Sequence, residues 1–232
     1  MNISSKSPIA LIDSGIGGLS LLKSLTKKYP NENYIYLADN QYMPYGNKSA
    51  KVLQNRLLEL INFLYNDYSV KLVILACNTA SASALAFLNK HSPVKVLGLN
   101  IANLFGDNTK IICTKLSAKC FKGLNTYPCP KLANDIEGNI FNKANLSKKI
   151  KRLLVKADIS EDNIVLGCTH YELVGNIFAK VLPNKNFIYP CAEFVKNLKL
   201  TNPNTSSKGD VLMISTLATK SYIDKLWKIF KS

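Results

Sequence analysis

Short apolar runs alternate with longer segments of helical spacing along most of this chain. Pro8 to Ile12, Asn33 to Leu37, Val73 to Ala76 and Val94 to Leu99 are near-continuous apolar stretches, the pattern of strands buried on both faces. Between them, Leu19 to Tyr29, Ser49 to Tyr65 and Thr79 to Asn89 have apolar residues at helical spacing, clearest in Val52, Leu53, Leu57, Leu60, Ile61 and Leu64. The order β-α-β-α-β-α predicts a parallel sheet with right-handed crossovers. A second alternation follows: Lys110 to Cys113, a short helix near Ser117 to Lys122, Cys129 to Gly138 with a lysine-rich helix behind it, then Asn163 to Leu166 and a helix from Tyr171 to Leu182. Phe187 to Tyr189, Val211 to Ser215 and an amphipathic segment Leu217 to Phe230 complete the chain.

Composition narrows the class. With 232 residues, 47% of them hydrophobic, the chain is large enough for one sizeable core or two smaller ones. Pro8 to Ile12 is too short for the core of a signal peptide, and no stretch has the length of a membrane helix. A cytoplasmic location is therefore expected, and with it reduced thiols: the six cysteines include no CxxC pair. The formal charge of +15 raises nucleic acid as a partner. However, only Arg56 and Arg152 are arginines, and the densest cluster, Lys148, Lys149, Lys151, Arg152 and Lys156, has the spacing of one helix's wet face around Ile150, Leu153, Leu154 and Val155. A solvated basic surface is the preferred reading over nucleic-acid binding.

The chemistry concentrates where strands end. Val73 to Ala76 stops at Cys77-Asn78-Thr79, in the position where open α/β sheets bind ligands. Free N–H groups at the following helix start favour an anionic ligand and lower a thiol's pKa; a core cysteine is the plain alternative. The first strand ends in Asp13-Ser14-Gly15-Ile16-Gly17-Gly18, a glycine-rich turn that lacks the GxGxxG dinucleotide pattern. If the two strands are parallel neighbours, Asp13 faces the crevice of Cys77, where a carboxylate binds an ammonium or takes a thiol proton. Pro44-Tyr45-Gly46 reads alone as a turn, Ser117 as a hydroxyl at another strand end, and Glu137 as a surface residue. Gly167-Cys168-Thr169-His170 then repeats the first element: apolar strand, cysteine, small polar residue, helix. Two thiols about one α/β half apart, flanking one cleft, suit removal of a proton from one face of a carbon and its return to the other. That operation is racemisation or epimerisation.

Four motifs in order, Asp13-Ser14-Gly15 with Gly17-Gly18, Pro44 to Ser49, Ala76 to Ala80 and Leu166 to Tyr171, resemble the cofactor-independent aspartate/glutamate racemase family. The Cys-Asn-Thr-Ala and Gly-Cys-Thr-His forms resemble its glutamate branch. The resemblance implies interconversion of L- and D-glutamate for peptidoglycan, with neither pyridoxal phosphate nor metal. It makes Cys77 and Cys168 the two catalytic thiols, with Asp13 and His170 assisting their proton traffic. Ser14, Tyr45, Gly46, Asn78, Thr79, Thr169, and also Asp13, His170 and Ser117, become the substrate-binding residues. Departures lie in the second half: Thr114-Lys115-Leu116-Ser117 stands where the family tends to have a Gly-Thr pair, Glu172 replaces a common proline, and Asn100 to Leu104 matches poorly.

The expected fold is α/β, two pseudo-symmetric parallel-sheet domains with the active site in the cleft between them. The first is expected at 1–98 plus a returning 209–232, the second at 99–208. Glutamate is the expected partner, without a membrane or nucleic acid, and a homodimer is open. The alternatives are an aspartate or broader amino-acid racemase, and a non-catalytic binding protein on the same fold.

Overall fold

The computed structural model describes residues 3–99, 101, 104 and 106–232. Its strands are β1 (Ile9–Asp13), β2 (Tyr34–Ala38), β3 (Leu72–Leu75), β4 (Val96–Gly98), β5 (Thr109–Cys113), β6 (Thr126–Pro128), β7 (Asn163–Gly167), β8 (Asn186–Ile188) and β9 (Val211–Ser215). Five of them form one parallel sheet in the order β4-β3-β1-β2-β9, and four form another in the order β6-β5-β7-β8. The two-lobed α/β architecture anticipated from the alternation is present.

The helices are α1 (Leu19–Lys28), α2 (Ala50–Tyr68), α3 (Asn78–His91), α4 (Lys115–Cys120), α5 (Leu132–Asn139), α6 (Lys143–Ala157), α7 (Thr169–Leu173), α8 (Gly175–Val181), α9 (Pro190–Asn197) and α10 (Lys220–Lys231). Alternation along β1 divides the first lobe's core. Ile9 and Leu11 pack with residues of α1, α9 and α10, whereas Ala10 and Ile12 pack with residues of α2 and α3. Helix starts carry recognisable caps: Ser49 accepts from the Val52 N–H, Thr114 from Ser117 and Asn142 from Asn145.

Several details differ from expectation, among them helix α9, which the apolar pattern did not announce. The helix anticipated over 171–182 is two helices, because at Val174 the backbone leaves helical geometry (φ −119°, ψ 22°). Strand β6, three residues long, escaped notice because Thr-Tyr-Pro has too few apolar positions to signal one. Val155, assigned to the buried side of the lysine-rich helix, is 73% exposed; α6 buries Leu146, Ile150, Leu154 and Ala157 instead. Of the poorly matching stretch Asn100 to Leu104, Asn100, Ala102 and Asn103 lie outside the described residues. Among the described residues no helix is long and apolar enough to cross a membrane.

Candidate active site

Strands β1 and β3 are parallel neighbours, Ile12 opposite Leu75, so their carboxyl ends open on the same edge. Asp13 ends β1. Its Oδ1 accepts the Gly15 N–H at 2.8 Å, and its Oδ2 accepts the Thr169 hydroxyl at 3.1 Å, across from the other lobe. Burial pushes its pKa up, and His170, the Gly15 N–H and Thr169 pull it part of the way back. Ser14 lies buried in the turn that follows. Cys77 stands at the N-cap of α3. Burial first, then the charges of Asp13 and Cys168, raise its pKa, against the N–H groups of Ala80 and Thr79 at the helix start. Next to it, both polar side-chain atoms of Asn78 are buried with no partner among the described residues.

The second lobe repeats this arrangement. Cys168 is the N-cap of α7 at the end of β7. His170 Nε2 lies 2.9 Å from Glu137 Oε2. Burial opposes the imidazolium, but hydrogen bonds with Cys168 and Glu137 outweigh it and hold the His170 pKa well above its ordinary value. Glu137 is not a surface residue. Its Oε2 also accepts the Ile16 N–H at 3.0 Å, and its Oε1 accepts Tyr222 at 2.8 Å and Lys225 at 2.9 Å. Burial would raise its pKa, but His170 and Lys225 bring it down to about 2. The expectation failed because a single glutamate in Asn-Asp-Ile-Glu-Gly-Asn has no spacing that separates it from a solvated one; only the folded chain assembles its four partners.

Hydroxyls line a third side. Thr79 Oγ1 lies 2.9 Å from Thr114 Oγ1 and 3.2 Å from Ser117 Oγ, and these two are 3.0 Å apart. Gly46 abuts this group: a Cβ there would stand 2.7 Å from the Thr114 Cβ, which leaves room only for glycine. Tyr45, in a short 3-10 turn (Tyr45–Asn47), is buried and donates to Asp39 Oδ2 at 2.8 Å. Arg56 holds the same carboxylate through two bonds, 3.1 and 2.7 Å, while its guanidinium stacks on Tyr42. Thr114, Asp39 and Arg56 were missed as site residues. Thr114 had a signal, since a threonine three residues before a strand-end hydroxyl is a helix cap. The Asp39–Arg56 pair had none, because it joins a loop to the middle of a helix.

The structure thus brings Asp13, Ser14, Cys77, Asn78, Thr79, Thr169 and His170 together with Cys168, and sets Ser117, Tyr45 and Gly46 around them. The site is closed: Cys77, Cys168, Asp13, Asn78 and Thr169 are each at most 5% exposed. Chemically, it offers two thiols at helix N-termini, a carboxyl beside one, an imidazolium beside the other, and an unpartnered amide with a set of hydroxyls between.

No family model matches the chain. A glutamate racemase from Sulfurihydrogenibium sp. is 30% identical over 224 residues, spanning 87% of this chain and 85% of that protein. One from Buchnera aphidicola subsp. Schizaphis graminum is 32% identical over 232 residues, spanning 88% and 89%. The crystal structure of glutamate racemase from Thermus thermophilus in complex with beta-chloro-D-alanine superimposes with a TM-score of 0.84 at 25% identity, over 99% of this chain and 94% of that one. With two sheets, paired strand-end cysteines and relatives matched over most of their length, the chain belongs to the glutamate racemase family.

Proposed function

We propose that this protein interconverts L-glutamate and D-glutamate, and so supplies D-glutamate for peptidoglycan, by passing a proton between Cα and two thiols. The observation that carries this reading is the pair Cys77 and Cys168, each buried at a helix N-terminus, with Asp13 beside the first and His170 beside the second. One thiolate removes the Cα proton from its side, and the opposite thiol delivers a proton to the other; the roles exchange in the reverse direction. His170, held as an imidazolium by Glu137, stands beside Cys168 as its partner in proton traffic. Asp13, with its raised pKa, is suited to exchange a proton with Cys77. Asn78 and the N–H groups of Thr79 and Ala80 take a substrate carboxylate, and Thr79, Thr114 and Ser117 supply hydroxyls to the other. Ser14, Tyr45, Gly46 and Thr169 complete the walls. The protein's own groups provide every proton transfer in this scheme, which uses neither pyridoxal phosphate nor metal.

The same reading divides the chain into 1–98 plus 209–232 and 99–208, supported by the pairing of β9 with β2. It places the protein in the cytoplasm and takes glutamate, rather than nucleic acid, as the partner, since α6 turns its lysines to solvent; a homodimer is compatible with it.

Proton exchange in D2O tests the proposal, with L-glutamate and separately L-aspartate. Deuterium at Cα with inversion of glutamate is expected for the wild type, and loss of racemisation for both Cys77→Ser and Cys168→Ser. Inversion of aspartate alone would move the specificity. No exchange with either, from folded protein with reduced thiols, would overturn the racemase reading.

A further inference from the structure

Beside the site stands a half-buried carboxyl that the mechanism above does not use. Glu172 sits in α7, two residues past His170, and both its oxygens accept the N–H of Cys191, at 3.2 and 3.3 Å. Cys191 is the second residue of α9, so the carboxyl occupies the positive end of that helix. The other end of α9 is held by a cation: Lys28 Nζ, at the end of α1, donates to the carbonyls of Val195, Lys196 and Leu198 at 2.6, 3.2 and 2.9 Å. Tyr29 adds a bond to Leu198 at 2.7 Å, and Ser20 of α1 donates to the Cys191 thiol at 3.8 Å. Cys191, Val195 and Leu198 are buried in the first lobe's core with Leu19, Leu22 and Leu25. Helix α9 is therefore a strut held at both ends: at its C-terminus by the Lys28 ammonium of the first lobe, and at its N-terminus by the Glu172 carboxyl of the helix that carries Thr169 and His170.

We infer that Glu172 is a positioning residue: by capping α9 it fixes α7, and with it His170 and Cys168, at the distance from the first lobe that proton transfer requires. The inference rests on the racemase reading above. No ion pair to Glu172 is present among the described residues. The titratable and charged groups around it are Cys191 of α9, Tyr189 before that helix, Lys23 of α1, Lys143 of α6 and Lys228 of α10, the lysines lining the clefts that it also borders. Burial, eased only in part by Cys191, pushes the Glu172 pKa up to about 8. The cap is consequently a neutral acceptor at neutral pH, and above pH 8 it becomes a buried charge that draws water or lysine into the clefts and displaces α7.

The test compares wild type, Glu172→Gln and Glu172→Ala by glutamate racemisation from pH 6 to 9.5. In the wild type kcat is expected to fall above about pH 8, and Glu172→Gln, a permanently neutral acceptor, loses that fall. Removing the cap in Glu172→Ala lowers kcat about tenfold across the range with little change in KM, because the side chain touches α9 rather than substrate. An alkaline limb identical in wild type and Glu172→Gln, or wild-type kcat in folded Glu172→Ala, overturns the inference. Should Glu172→Ala fail to fold, the Gln comparison decides. If the wild type proves inactive, the racemase reading falls and the Cys191 amide NMR shift decides the cap. A transition near pH 8 in wild type that Glu172→Gln lacks upholds it, and no transition overturns it.

Discussion

At the scale of single residues, Asn78 carries the clearest consequence. An amide buried without partners costs the ligand-free protein about 1–3 kcal/mol, and it sits beside Cys77 on the first turn of α3. Among the described residues nothing pairs with this amide, and on the racemase reading its partner is the substrate. Asn78→Ala is expected to have opposite effects on two measurements: the free protein gains about 1 kcal/mol in urea unfolding, while KM for glutamate rises about tenfold, the loss of a hydrogen bond to a charged carboxylate. A destabilised variant with unchanged KM would assign Asn78 to the core instead. Cys77 and Cys168 were legible without the fold, because a thiol at the boundary between an apolar strand and a small polar helix start is a local pattern. Glu137 was not, since its meaning comes from Ile16, Tyr222 and Lys225, all distant in sequence.

Elements meet at the glycine-rich turn after β1. In the sequence its glycines read as a tight turn, and the structure adds a reason for one of them: a Cβ on Gly17 would stand 2.5 Å from Thr169 Oγ1 and 2.6 Å from His170 Nδ1. The turn is where the first lobe's backbone approaches α7, and only a residue without a side chain permits it. Gly17→Ala is therefore expected to lower kcat/KM about tenfold or more by shifting His170 relative to Cys77. Both sheets keep their strands, so far-UV circular dichroism stays unchanged. The break between α7 and α8 belongs to the same scale. Of the signals that end a helix, Glu172-Leu173-Val174-Gly175 carries only Gly175, one residue past the break, and with no proline a continuous helix was the natural expectation.

Across the whole molecule, Glu137 is the junction, joining β1's turn, α7 and α10 through Ile16, His170, Tyr222 and Lys225. Its pH dependence follows from two shifts. The raised His170 pKa contributes stability that is complete below the ordinary 6.5 and is lost as pH rises through the folded-state value. The Glu137 pKa, lowered to about 2, contributes stability that is complete above the ordinary 4.5 and is lost as pH falls toward 2. The pair is thus worth most between pH 4.5 and 6.5. Glu137→Gln should cost about 3 kcal/mol in that window, the scale of a broken buried pair, with the gap to wild type narrowing toward pH 2.5 in urea unfolding. A gap independent of pH would mean that Glu137 acts through shape alone.

Strand and helix periodicity, the two cysteine motifs and the parallel α/β class were settled by the sequence itself, because each is a short-range pattern: apolar alternation selects buried strands, and a strand's end followed by a helix start places a side chain in the crevice. The tertiary structure alone decided which distant residues complete the site. Asp39 with Arg56 behind Tyr45, Thr114 beside Thr79, Glu137 behind His170 and Glu172 at the foot of α9 are pairings of polar groups brought out of water together. Their energies depend on burial and on partners far away in the chain, and neither is written in local spacing.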